Sequence, residues 1–201
     1  MRRVGLFGGT FDPPHVGHLV LAECARDRLG LDEVRFIPAG QPPHKRSHPV
    51  SPCARRVAMV RLAVRSNPAF VVSMLEARRR GPSFTIETLR RVAAETPRAR
   101  LYLLMGADSL DEFHTWREPE AILALATLAV AARPGAARAA RRVPKRPLLR
   151  RGRIAWLDNA EIDVSSSRVR ARVRAGHSVR YLVPDAVAAY IARHRLYRSG
   201  R

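Results

Sequence analysis

The sequence predicts an α/β fold in which a doubly wound parallel sheet carries a helical C-terminal end. Three observations predict it. Short apolar runs such as Val4–Phe7, Val34–Pro38 and Leu101–Met105 stop abruptly at or beside glycine or proline, as strands buried on both faces do. Segments with apolar residues at helical spacing lie between them. The alternation of the two implies βαβ units, with helices on both faces of one sheet.

Taken in order, Val4–Phe7 ends at Gly8-Gly9 and reads as a first strand closed by a turn. His15 to Leu29 carries Val16, Leu19, Val20, Ala22 and Leu29 at helical spacing, with Gly30 as its stop. Val34–Pro38 is the second strand, and Ala39–Pro52 a loop rich in Pro, Gly and His before a helix over Arg55–Val64. Phe70–Ser73 is the third strand, Phe84–Ala94 a helix, and Leu101–Met105 the fourth strand, ending at Gly106. A helix over Pro119–Leu125 precedes the fifth strand, Thr127–Ala132. Ser166–Ala175 and Pro184–Arg193 form the helical end. No repeat or linker divides the chain, so residues 1–201 read as a single domain.

A net charge of +20 raises nucleic acid as a partner. The excess is almost all arginine, since Lys45 and Lys145 are the only lysines, and no helix-turn-helix, zinc-finger or RNP-like pattern accompanies it. A basic, solvated surface is the simpler account. Its densest part, residues 133–153, meets no acidic residue; Gly135, Pro144 and Pro147 interrupt it, and a mobile basic loop is expected there. Ala121–Ala132 is too short to cross a bilayer. No signal-peptide pattern opens the chain, and Cys24 and Cys53 suggest no disulfide framework, so a reduced cytoplasm is expected.

Chemistry concentrates where the first strand ends, in Gly5-Leu-Phe-Gly-Gly-Thr-Phe-Asp-Pro-Pro-His-Val-Gly-His-Leu19. In doubly wound sheets ligands bind beyond the carboxyl ends of the strands. Glycines let backbone approach a ligand, and the N–H groups and dipole of the next helix favour a phosphate there. His15 and His18, three residues apart, can then serve as imidazole donors. A zinc site or a loop with two surface histidines are the rival readings, the first lacking further ligands. No P-loop exists, and Gly5, Gly8 and Gly9 do not fit the dinucleotide fingerprint G-x-G-x-x-G. Downstream, Val164-Ser-Ser-Ser-Arg-Val-Arg170 offers capping serines, free N–H groups and Arg170: a second phosphate cradle, or simply a capped helix.

Together, GTFDPPHVGH and SSSRVR resemble the two signatures of the nucleotidyltransferase superfamily, which transfers a nucleoside monophosphate from a triphosphate. Three further stretches are similar to those of bacterial nicotinate mononucleotide adenylyltransferases: Gly81-Pro-Ser-Phe-Thr-Ile-Glu-Thr-Leu89, Gly106-Ala-Asp-Ser-Leu-Asp-Glu-Phe-His-Thr-Trp116 and Pro42-Pro-His-Lys45. The five pieces span essentially the whole chain. Glu87 departs from the Asp usual there, and residues 133–153 match no functional motif. Pantetheine-phosphate adenylyltransferases and cytidylyltransferases share only the first and last pieces.

The resemblance implies a Rossmann-like sheet and an enzyme of NAD biosynthesis. Its substrates would be ATP and nicotinate mononucleotide, its products deamido-NAD and pyrophosphate. It places His15 and His18 as the catalytic residues on the ATP phosphates, with His18 nearest the α-phosphate. Gly8, Gly9, Thr10, Phe11, Gly106, Asp108, Ser166, Ser167 and Arg170 would bind ATP, Asp108 through the ribose hydroxyls. Lys45, Phe84, Thr85 and Trp116 would bind the mononucleotide, with the pyridine ring on Trp116 and its carboxylate at the N–H groups around Phe84 and Thr85. Mg2+ would ride on the phosphates with water in its shell and no protein ligand. Neither a membrane nor a nucleic acid is implied as a partner.

Overall fold

The computed structural model describes residues 1–41, 50–79, 81–131, 147–150, 152–158 and 162–198. Within them six parallel strands form one sheet in the order β3-β2-β1-β4-β5-β6. The strands are β1 (Arg3–Gly9), β2 (Glu33–Pro38), β3 (Phe70–Val72), β4 (Arg100–Gly106), β5 (Ala126–Ala131) and β6 (Ile154–Leu157). The helices are α1 (Val16–Leu29), α2 (Cys53–Val64), α3 (Thr85–Glu95), α4 (Ala107–Glu112), α5 (Pro119–Leu125), α6 (Pro147–Arg150), α7 (Ser166–Arg174) and α8 (Asp185–Arg193). A 3-10 turn, Phe113–Thr115, follows α4.

The strands are largely apolar because both faces are covered. On one face Phe7, Phe36 and Leu104 pack against Ala22 and Ala25 of α1, Met59 and Val60 of α2, Val169 of α7 and Val187 and Ile191 of α8. On the other, Val4, Leu6, Leu101, Leu103 and Met105 pack against Ile86, Leu89 and Val92 of α3, Leu110 of α4 and Ile122 of α5. Alternate residues of one strand therefore serve opposite cores.

The expected five strands and their helices are all present, with ends shifted by one to a few residues. Gly30 ends α1 at a left-handed φ of 59°. β6 is an addition: its four residues pair in register with Leu128–Ala131 of β5. The mobile-loop expectation for residues 133–153 fails at its C-terminal end. Residues 147–150 are helical, Leu149 is buried, and the Arg153 carbonyl accepts the Leu128 N–H at 2.9 Å. Proline is compatible with a first helical position, so Pro147 opens α6 rather than breaking it. Residues 133–146 and 151 of that stretch lie outside the described residues. Among the described residues no helix is long and apolar enough to cross a membrane.

Candidate active site

The strand order reverses between β1 and β4, which pair from Arg3↔Arg100 to Leu6↔Leu103 and end side by side at Gly9 and Gly106. Such a switch point opens a crevice. Here it is a cleft of about 420 Å3, lined by Gly8, Gly9, Thr10 and Gly106 from the strand ends. Phe84 and Thr85 at the start of α3, and Trp116 after the 3-10 turn, line it as well. Seven of the residues expected to hold substrates therefore meet in one place. Trp116 is half-buried against Phe113, with ring centroids 5.4 Å apart.

The two glycines do different work. A Cβ at Gly8 would meet nothing within 4 Å, whereas one at Gly9 would stand 2.9 Å from the Phe11 ring. Gly9 thus makes room for Phe11 rather than for a ligand. Phe11 holds a φ of 51°, a conformation a bulky residue adopts only when its surroundings impose it. Its ring is buried edge-on to Phe7 at 5.6 Å and tilted against Phe36 at 5.8 Å. The expectation that Phe11 binds ATP is narrowed accordingly: its side chain belongs to the core, and only its backbone faces the turn.

Five residues beyond Thr10, His15 caps α1 and His18 lies one turn in, their rings stacked with centroids 3.6 Å apart; neither is among the residues that line the cleft. His15 N–H donates to His18 Nδ1 at 3.1 Å. An accepting Nδ1 puts the proton of the neutral ring on Nε2. His18 is half-buried and lies edge-on to Phe11 at 5.0 Å. His15 is nearly enclosed, and its Nδ1 has no hydrogen-bond partner among the described residues. Burial lowers its pKa from 6.5 to about 4, so it is neutral at physiological pH.

That shift carries a stability consequence. Between about pH 4 and 6.5 the unfolded chain binds a proton at this histidine that the folded chain refuses. The contribution is complete above pH 6.5 and is lost as pH falls toward 4, by about 3 kcal/mol. Denaturant titrations from pH 7 to pH 4 should show a shallower loss for His15→Asn than for the wild type. Equal losses would contradict the burial of a neutral His15.

The anion cradle at α1 is narrower than expected, because the segment before α8 crosses the helix start. Val16 N–H donates to the Leu182 carbonyl and His18 N–H to the His15 carbonyl, both at 3.0 Å. The start of α7 docks onto the same turn. Ser165 is the cap, accepting the Arg168 N–H at 3.2 Å. Ser166 Oγ donates to the Pro13 carbonyl at 2.9 Å, and Arg170 reaches the Asp12 carbonyl at 2.8 Å and Ser167 Oγ at 3.2 Å. Ser166 and Arg170 thus hold the turn that carries the histidines, alongside any phosphate contact. Asp108 stands exposed in the first turn of α4, outside the cleft wall. Lys45, with Pro42–Pro43–His44, lies outside the described residues.

Several residues that shape the site gave no signal of their own. Asp12 is buried, its peptide to Pro13 is cis, and its carboxylate accepts from the Tyr197 hydroxyl at 2.6 Å and the Ser51 N–H at 3.0 Å. Burial, reinforced by that carboxylate, pushes the Tyr197 phenol well up, so it remains a donor. Arg56 is 1% exposed and binds three carbonyls. Its position on the Val60–Ala63 stripe of α2 was the available clue. In the cleft, buried Glu76 accepts from Thr88 Oγ1 at 2.8 Å, burial raising its pKa. Ser83 Oγ, from another residue lining the cleft, is buried with no hydrogen-bond partner among the described residues.

Gly40, just beyond β2, is pressed against this wall. A Cβ there would stand 2.4 Å from the Glu76 carbonyl oxygen, a backbone atom that cannot swing aside. Gly40→Ala is expected to destabilise the fold by about 1–3 kcal/mol, as over-packing does. A melting temperature equal to wild type would refute that close approach.

Among the described residues no group of three or more His, Cys, Asp or Glu side chains gathers to hold a metal. What the residues present is a set of donors suited to phosphate oxygens: imidazoles, guanidinium and helix-start N–H groups.

A family model described as Cytidylyltransferase-like matches residues 6–172. A relative from Thermomicrobium roseum, "Probable nicotinate-nucleotide adenylyltransferase", is 45% identical over 99% of this chain and 93% of its own length. One of the same name from Symbiobacterium thermophilum is 47% identical over 100% of this chain and 97% of its own. Among solved structures, the Plasmodium falciparum nicotinic acid mononucleotide adenylyltransferase complexed with NaAD superposes with a TM-score of 0.77. It covers 98% of both chains at 14% identity, a likeness of fold. On its full-length identity to these relatives, the chain belongs to the nicotinate-nucleotide adenylyltransferase family, within the Cytidylyltransferase-like enzymes.

Proposed function

We infer that the chain joins ATP to nicotinate mononucleotide, giving nicotinate adenine dinucleotide and pyrophosphate. Relatives 45–47% identical over essentially the whole chain carry that activity in their names. The observation in the molecule that carries the reading is one cleft holding both halves of the task. The glycine turn of β1, which leads on to His15 and His18 at the start of α1, lies at one side, and the start of α3 and Trp116 at the other.

In this reading a 5′-phosphate oxygen of the mononucleotide attacks the α-phosphorus of ATP. The bond from that phosphorus to the bridging oxygen breaks, and pyrophosphate leaves. The nucleophile is already anionic, so no general base is required. The protein's work is in-line positioning and neutralisation of charge. His18 Nε2–H donates to the transferring phosphate, and His15, neutral and enclosed, braces that ring from beneath. Arg170 and Ser167 hold the leaving phosphates from α7, and Thr10 and Lys45 help hold the phosphates of the two substrates. Asp108 takes the adenosine ribose, and the N–H groups at the start of α3 take the nicotinate carboxylate over Trp116. A magnesium ion bound to the triphosphate would neutralise its oxygens, and the chain's phosphate-directed donors leave that ion to phosphate and water. Both cysteines are free thiols, which suits a reducing cytoplasm.

Pyrophosphate release with ATP and magnesium tests the reading, with nicotinate mononucleotide, its amide and phosphopantetheine offered in parallel. Fastest release with the nicotinate acid supports it. Release only with another acceptor discards the substrate, and none with any of the three discards adenylyl transfer.

A further inference from the structure

The buried guanidinium of Arg56 has no place in the chemistry above. It lies within α2, 1% exposed, under the floor of the site. Each of its donor nitrogens serves a different stretch of backbone. Nη1 donates to the Thr10 carbonyl at 2.9 Å, Nη2 to the Gly40 carbonyl at 3.0 Å and Nε to the Ser51 carbonyl at 3.0 Å. Among the described residues its hydrogen bonds all end on carbonyls and none on a carboxylate.

The three carbonyls are not a random set. Thr10 opens the turn that leads from β1 to His15, while Gly40 and Ser51 flank the stretch that carries Lys45. The same frame reaches further on both sides. Ser51 N–H donates to the buried Asp12 carboxylate, so Arg56 and Asp12 grip one residue from opposite ends. Gly40 abuts the backbone of Glu76, whose carboxylate accepts from Thr88 of α3. One side chain thus sits where the phosphate side and the mononucleotide side of the cleft are tied together.

A charge buried without a carboxylate is costly, and a lysine could not replace the fork. Its single nitrogen cannot reach three carbonyls that approach from three directions. We propose that Arg56 is a positioning residue of the transfer reaction, its guanidinium holding Thr10, Gly40 and Ser51 in the register that aligns the two substrates for in-line attack. This rests on the adenylyl-transfer reading above. Since Arg56 touches neither substrate, its loss falls on alignment, where small displacements are expensive, more than on affinity.

The test compares wild type, Arg56→Lys and Arg56→Met in steady-state kinetics with ATP and nicotinate mononucleotide, well below each variant's melting temperature. Hydrogen exchange of the same proteins is followed in parallel. The expected result for Arg56→Lys is a cooperative fold, kcat lower by about 100-fold and both KM values within about threefold. Exchange should quicken in the peptides containing Thr10, Gly40 and Ser51, and not across the sheet. Arg56→Met should lose at least as much, and if it fails to fold the lysine variant carries the test alone. The proposal is overturned if Arg56→Lys keeps kcat within about threefold, if its loss appears in KM alone, or if activity falls only in step with the folded fraction. Failure of the substrate reading is seen separately, as no turnover by wild type with nicotinate mononucleotide. The kcat ratio is then read with whichever acceptor releases pyrophosphate, and absence of turnover with every acceptor overturns both readings.

Discussion

Replacing His18 with alanine is expected to lower kcat by about 10²- to 10³-fold while the KM for ATP changes little. The magnitude is that of deleting one preorganised donor aimed at developing charge. The geometry explains why this histidine is preorganised. Its Nδ1 is occupied by the His15 N–H at 3.1 Å, which assigns the proton to Nε2. Its ring is clamped between the stacked His15 ring at 3.6 Å and the edge of Phe11 at 5.0 Å. A donor held this way needs no reorganisation as the transferring phosphate gains charge. Steady-state assays at saturating substrates measure the effect, with a melting curve to show that the variant folds. A kcat within threefold of wild type would move the role to another residue.

Discrimination between the acid and the amide of the mononucleotide is the second large effect. The acid is expected to be preferred by about 10²- to 10³-fold in kcat/KM. The Glu87 and Thr88 N–H groups of α3 both turn back to the Phe84 carbonyl. The N–H groups of Thr85 and Ile86 precede them and have no carbonyl to meet inside the helix. A carboxylate accepts from such donors with either oxygen and gains from the helix dipole. The amide can satisfy them only through its carbonyl, and its own NH₂ faces donors. Glu76 in the same cleft would oppose an anion if ionised, and its burial favours the neutral form. Parallel kcat/KM measurements decide the matter. Comparable values for both would remove α3 from the account of specificity.

What could be read in the sequence follows from how local each feature is. β1, β2 and β4 were legible because strands buried on both faces are mostly apolar runs, broken in β2 only by Arg35 within Val34–Pro38. β6 was not: only Leu157 of its four residues is fully buried, and pairing with β5 supplies what the pattern lacks. α4 hid inside a motif read for its Asp and Ser rather than for its spacing. The motif residues Gly8, Gly9, Thr10, Phe84, Thr85, Gly106 and Trp116 do line one cleft. Their supports were out of reach. Arg56 looks like an ordinary helix arginine until the loops it binds are in place, and nothing around Tyr197 announces a bond to Asp12, 185 residues away.

Those distant supports bear on the order in which the enzyme comes into being. The segment that carries the glycine turn and the histidines is translated well before Ser166, Arg170 and Tyr197, which tie its Asp12 and Pro13. Contacts so remote in sequence form late, after their loops have closed. A ribosome-bound chain can therefore assemble much of the sheet while its histidine turn still waits for partners not yet synthesised. A turn made early in the chain is thus completed late.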